Sequence, residues 1–203
     1  MSVFKQRHID QGLTYADYKN RVIELVSKNR TSGPNQSGAL VKNTLKNIDR
    51  MKWGEENIEL ISSAEEFLDD LNVEWIWIVF SEAWSDDSSH ILPAIKKVAD
   101  YSDKIDLKIL FREEYPVLFD NFLTDKSRSI PKLVCLRKSD FKVLGTWGPR
   151  PAHIQERALE YKANPDKELD EFIEEMEAAY KQDKGETTQQ ELIQNAKIWW
   201  KRS

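Results

Sequence analysis

The chain has 203 residues, a formal net charge of −5 at neutral pH and an apolar fraction of 40%, which fits one globular domain with additions. Acidic and basic residues interleave without blocks, so there is no electrostatic footprint for nucleic acid or an anionic membrane, and protein or small-molecule partners are expected. With Cys135 as the one cysteine, an internal disulfide and a cysteine-based zinc site are both excluded.

Residues 1–13 carry no periodic pattern and read as a loose arm. They also lack the apolar core of a signal segment, and no apolar run in the chain approaches spanning length, so a soluble, cytoplasmic protein is expected. Thr14 with Asp17 three residues on predicts an N-cap, and Tyr15, Tyr18, Val22, Leu25 and Val26 recur at helical spacing to about Lys28. Gly33-Pro34 breaks that helix, and Ser37 caps a second one carried by Val41, Leu45 and Ile48 and ended by Gly54. The pair makes a helical hairpin. A doubled capping-box pattern, Ser62 with Glu65 and Ser63 with Glu66, predicts a short third helix.

The central part alternates. Trp75–Phe80 reads as a buried strand, followed by a helix from about Ser88 to Tyr101, a strand at Ile105–Phe111 and an apolar helix near Pro116 to Leu123. That order predicts parallel strands joined by a right-handed crossover. Strands at Lys132–Arg137 and Phe141–Trp147 are separated only by Lys138-Ser139-Asp140, which forces an antiparallel hairpin. A helix from Ala152 to about Lys162 closes the unit. Beyond Asn164-Pro165, Leu169, Phe172, Ile173, Met176 and Tyr180 stripe an acidic helix that ends near Gly185. Thr187 or Thr188 then caps a last helix in which Leu192, Ile193, Ala196, Trp199 and Trp200 share a face. The division is thus an extension over 1–72, a core over 73–163 and a second extension over 164–203, within one compact domain.

Three local features sharpen this order of elements. Glu82-Ala83-Trp84 ends the first strand, Ser129-Ile130-Pro131 opens the third, and Leu144-Gly-Thr-Trp-Gly-Pro-Arg-Pro151 leads to the closing helix. With Gly33-Pro-Asn-Gln-Ser37 in the helical hairpin, residues 14–163 resemble the thioredoxin family, in its bacterial branch with a helical N-terminal extension. The resemblance implies an α/β thioredoxin-like sandwich: a four-stranded mixed sheet flanked by helices, with helical extensions at both ends. It also implies a cis-proline at Pro131 and a substrate groove. That branch typically reads Glu-x-Trp-Cys-Gly-Asp at its site, some members with a second cysteine; here the corresponding stretch is Ser85, Asp86, Asp87 and Ser88.

The difference is chemical. A helix N-terminus stabilises a thiolate, and disulfide exchange needs one sulfur to attack and a second to resolve. Ser85 and Ser88 provide neither, and a helix dipole contributing about 0.3–1 kcal/mol does not convert an alcohol into a substitute. Cys135 alternates in phase with Leu133 inside an apolar strand and reads as a core residue. A serine hydrolase is disfavoured because Ser88 and His90, two apart on a helix, do not face each other and no Gly-x-Ser-x-Gly turn exists. A metal held by Asp86 and His90 with Glu82 or Asp87 is opposed by the positive helix end, so Asp86 and Asp87 read as capping residues. His8 and His153 read as surface residues.

No metal, cofactor or catalytic residue is therefore expected. The expected function is a redox-inactive thioredoxin-like protein that keeps the groove, formed by Trp84, Ser85, Ser88, Ile130 before Pro131, and Gly145 to Trp147, as a protein- or peptide-binding surface. The alternative is an oxidoreductase-related enzyme that acts through a partner's thiols. Trp199 and Trp200 either fold back onto the core or anchor self-association.

Overall fold

A computed structural model describes residues 2–203; Met1, part of the expected N-terminal arm, lies outside them. The sheet has four strands in the order β2-β1-β3-β4. β1 (Trp75–Ser81) pairs in parallel with β2 (Ile105–Phe111) and antiparallel with β3 (Lys132–Arg137), which in turn pairs antiparallel with β4 (Val143–Trp147). Every residue of β1 is buried, as a central strand covered on both faces requires.

Strand alternation divides the apolar residues into two cores. Trp75, Trp77 and Val79 face one side together with Leu133, Cys135 and Ile109, while Ile76, Ile78 and Phe80 face the other with Val134, Leu136 and Leu110. Helices α2 (Tyr15–Ser27), α3 (Gly38–Asn57), α4 (Ser62–Asp70), α5 (Asp86–Tyr101) and α9 (Glu186–Trp200) contribute buried residues to the first core. The second core is covered by α1 (Gln6–Asp10) and by α6 (Pro116–Phe119) with its flanking 3-10 turns. Helix α7 (Ala152–Ala163) follows β4, and α8 (Leu169–Asp183) packs against α7 and leads to α9. No helix among the described residues is long and apolar enough to cross a membrane.

Several local expectations change. The arm is not loose: Phe4 and Ile9 fill the second core, and Leu13 bridges to Ile109 of β2 through hydrogen bonds of 2.9 and 2.8 Å. A five-residue helix is too short to show a period, which hid α1 from sequence reasoning. His8 is buried there, accepting the Lys5 N–H at Nδ1 (3.2 Å) and lying edge-on to Phe4 and Tyr115.

Gly54 does not end α3, which runs to Asn57. The glycine serves a close approach, since a Cβ there would stand 2.7 Å from Pro93 Cγ of α5. Helix α4 starts at Ser62 without a side-chain cap; instead Gln189 of α9 accepts the Ile61 N–H (3.2 Å) and donates to the Glu59 carbonyl (2.9 Å). The segment after Pro116 forms only one α-turn, and β4 starts at Val143 because Phe141 adopts a positive φ of 57° in the preceding turn. Helix α9 starts at Glu186, directly after the left-handed Gly185, rather than at a threonine cap.

The C-terminal helix lies on the sheet. Trp199 is 2% exposed and meets Trp75 and Trp77 edge to face, with ring centroids 6.4 and 6.2 Å away. Trp200 is half-buried against Phe67 and donates its indole N–H to Asn72 Oδ1 (3.2 Å). Of the two readings of this helix, Trp199 follows the one in which it folds back onto the core.

Candidate functional site

At the carboxyl end of β1 the chain turns through Glu82, Ala83 and Trp84 into the N-terminus of α5. Ser85 is the N-cap, its hydroxyl accepting the Ser88 N–H at 3.3 Å. Helix α5 therefore starts earlier than the predicted Ser88, and the two serines differ in role. Ser85 reaches the rim of a cleft, whereas Ser88 points inward, with Oγ buried and without a hydrogen-bond partner among the described residues.

The N-terminal hairpin holds this turn in place. Glu82 is fully buried and accepts the Ser32 hydroxyl and the Glu113 N–H (2.8 Å); burial pushes its carboxyl above the ordinary range despite those bonds. The Ser32 hydroxyl oxygen in turn accepts the Ala83 N–H (2.8 Å), and Asn47 of α3 donates to the Ala83 carbonyl (2.9 Å). Tyr18 of α2 donates to the Glu82 carbonyl (3.1 Å). The Glu82 carbonyl and both backbone groups of Ala83 thus meet side chains from the extension as the chain leaves the sheet.

Two arginines neutralise the first turn of α5, Arg50 from behind the rim and Arg150 from the cleft lining. Arg50, 5% exposed, donates to Asp86 Oδ1 (2.7 Å), Asn47 Oδ1 (2.8 Å) and Glu177 Oε2 of α8 (2.9 Å). Burial pushes the Asp86 carboxyl up while Arg50 pulls it down, and the net shift is upward. Arg150 lies 2.7 Å from Asp87 Oδ2, and the Tyr180 hydroxyl donates to Asp87 Oδ1 at 2.8 Å. His90 stacks on Tyr180, centroids 4.6 Å apart and planes within 9°. Burial, reinforced by Arg50, lowers its pKa to about 3, so the imidazole is neutral at physiological pH. The Asp86 and His90 side chains considered for a metal are therefore engaged with Arg50 and Tyr180. No group of three His, Cys, Asp or Glu residues suited to a metal occurs among the described residues.

The cleft has a volume of about 390 Å³ and is lined by Leu40 and Asn43 of α3, by Trp84, Ser85 and Ile130, and by Arg112 among others. The Arg112 guanidinium lies over the Trp84 ring at 5.3 Å and donates to the Arg128 carbonyl (2.7 Å), which ties the loop before β3 to the turn after β1. The Ile130–Pro131 and Gly148–Pro149 peptides are cis.

Of the residues expected in the groove, Trp84, Ser85 and Ile130 line this cleft, and Pro131 directly follows Ile130. Ser88 lies behind it, and Gly145 and Trp147 lie elsewhere. Gly145 sits beneath the Trp199 indole, and Trp147 donates its N–H to Glu191 Oε2 of α9 (2.7 Å), because α9 covers β4. Sequence reasoning missed Leu40, Asn43 and the three arginines Arg112, Arg128 and Arg150. A signal existed for Arg112, the first residue past β2, since ligand sites collect at the carboxyl ends of parallel strands. Cys135 is fully buried in β3 opposite Trp77, and desolvation pushes its thiol well above the ordinary value.

A family model described as thioredoxin matches residues 33–166. Among solved structures, an HIV epitope-scaffold is similar at 17% identity with a TM-score of 0.55, over 93% of this chain and 94% of that one. A Pseudomonas aeruginosa protein of unknown function is similar at 16% identity with a TM-score of 0.44, over 87% and 97%. No curated protein matches. Helices α8 and α9 lie beyond the matched span, yet α8 supplies Glu177 and Tyr180 to the charged network behind Ser85.

Proposed function

The chain belongs to the thioredoxin family, and from that premise we propose that it binds an extended protein or peptide segment in the cleft beside Ser85 and carries out no thiol–disulfide exchange. One observation carries this reading: the hydroxyl of Ser85 caps α5 at the cleft, while the one thiol of the chain is sealed inside β3. Exchange requires a thiolate that meets the partner's sulfur, and burial holds the Cys135 proton on and keeps partners out.

What supports binding is the shape around Ser85. Ile130 precedes β3, whose pairing with β1 begins at Lys132, so its backbone borders the cleft outside the sheet ladder. An extended segment laid there pairs main chain to main chain, and Trp84 supplies an aromatic wall. Neither contact needs sulfur.

The test uses two arms. In an insulin-type reduction assay the protein gives no turnover above background; turnover would overturn the redox-inactive half. In lysate treated with a thiol-blocking reagent, the protein captures its partner as well as in untreated lysate, and Asn43→Trp, which fills the cleft, abolishes capture. Capture lost on blocking, or indifferent to Asn43→Trp, overturns the binding half.

A further inference from the structure

Three of the side chains that line the cleft are arginines, and they come from three separate places: Arg112 after β2, Arg128 in the loop before β3, and Arg150 before α7. Each is held by an acid. Arg112 directs Nε to Glu113 (3.1 Å), Arg128 directs Nε and Nη2 to Asp120 (2.7 Å each), and Arg150 pairs with Asp87 (2.7 Å). Glu113 and Asp120 stand outside the lining, so these acids fix the guanidinium planes from behind.

A guanidinium carries five N–H donors, so such bonds leave donors over. The Arg150 Nε is buried with no partner among the described residues. The two acids that do line the cleft are already neutralised, Asp86 by Arg50 from outside the lining and Asp87 by Arg150 and Tyr180. The pairs leave little net charge at the cleft, so what its lining offers a ligand is the guanidinium donors that remain unused at its border.

We propose that the segment bound in this cleft is acidic, with Asp or Glu side chains on either side of the residue seated at Trp84, received by Arg112 and Arg128. This rests on the groove reading above and names its partner chemistry. Arginine held in plane suits a carboxylate because two parallel N–H···O bonds form at little further cost in side-chain freedom. Charge complementarity of this kind selects partners and speeds encounter, and it weakens as salt rises.

The probe is a displayed library of short, cysteine-free random peptides selected on the full-length protein, with Asn43→Trp and the double variant Arg112→Gln, Arg128→Gln in parallel. The wild-type pool becomes enriched in Asp and Glu, and Asn43→Trp selects nothing. The best acidic peptide binds the double variant about tenfold more weakly, the scale of one or two lost charge-assisted contacts, and loses affinity for the wild type as salt is raised. The single variant Arg128→Gln, at an exposed position, gives an intermediate loss and guards against a folding defect in the double variant. A pool without acidic bias that still depends on Asn43 overturns the inference and leaves the groove reading standing. Acidic bias indifferent to the arginine changes also overturns it. A pool indifferent to Asn43→Trp, or no selected peptide at all, overturns the groove reading and the inference with it.

Discussion

Trp199 occupies the space where a side chain at residue 145 would be: a Cβ built on Gly145 overlaps the indole Nε1 of Trp199. That indole also closes the face of the sheet formed by Trp75 and Trp77, so the last helix completes the first core. Gly145→Ala is therefore expected to destabilise the protein by about 1–3 kcal/mol, the usual cost of overpacking. Urea denaturation checks this. An unchanged midpoint would mean that α9 is not seated on β4.

Arg50 links α3, the start of α5 and α8. Arg50→Met removes the cation shared by the Asp86 and Glu177 carboxylates and leaves Glu177 only its bond from Lys181 (2.8 Å). The two acidic side chains keep 32% and 30% exposure, so solvent screens part of the loss, and about 1–3 kcal/mol is expected rather than the larger cost of a fully buried charge. Amide hydrogen exchange in α8 is expected to accelerate more than in β1. Equal acceleration in both would assign Arg50 to global stability alone.

Acid sensitivity follows from His90 and Glu177. The folded pKa of His90 falls from 6.5 to about 3, so the unfolded chain binds its proton first and stability drops as pH falls from about 6.5 towards 3. Glu177 is pushed up by burial but pulled further down, to about 2, by its bonds from Lys181 and Arg50, so its contribution is lost between about 4.5 and 2. Glu82 and Asp86 are raised by burial and act oppositely, with stability lost as pH rises above their ordinary values. His90→Phe keeps the stack on Tyr180 and is expected to flatten the leg from pH 6.5 downward in denaturant midpoints. A profile identical to wild type would remove His90 as its cause.

The Ser85 hydroxyl acts as a helix cap. Ser85→Ala is expected to cost about 0.5–2 kcal/mol, and Ser85→Asp, which keeps an acceptor at the N-cap, to cost less than half of that. Thermal unfolding separates them. Equal losses would show that the bond to the Ser88 N–H contributes nothing.

The Cys135 thiol is expected to resist a coloured thiol reagent in the native protein and to react with one equivalent in denaturant. Native reaction at the rate of free cysteine would overturn its burial.

The sheet was legible because its signals are local. A run such as Trp75–Phe80 between turn residues, and a link as short as Lys138-Ser139-Asp140, determine strand and antiparallel pairing by themselves. The helix stripes of α2 and α9 were equally plain, whereas the helix after β1 was expected from about Ser88 and its start at Asp86, with Ser85 as the cap, came from the structure. The cleft was legible only where one stretch supplies it, at Trp84 and Ser85 and at Ile130.

The rest was decided by tertiary structure, for a physical reason that recurs. Arg50 meets Glu177 across 127 positions, and Arg112, Arg128 and Arg150 converge from three elements. No spacing rule reaches that far, because the distance between such side chains is set by how the layers stack. Whether Gly54 ends a helix or admits Pro93, and whether Gly145 lines a groove or receives Trp199, likewise depends on the neighbour that packing brings. The sequence by itself determined the strands, the parallel pair and the antiparallel hairpin, the helix after the first strand and the absence of a second thiol; only the packing of α3, α8 and α9 decided which charges face the cleft and which lie buried behind it.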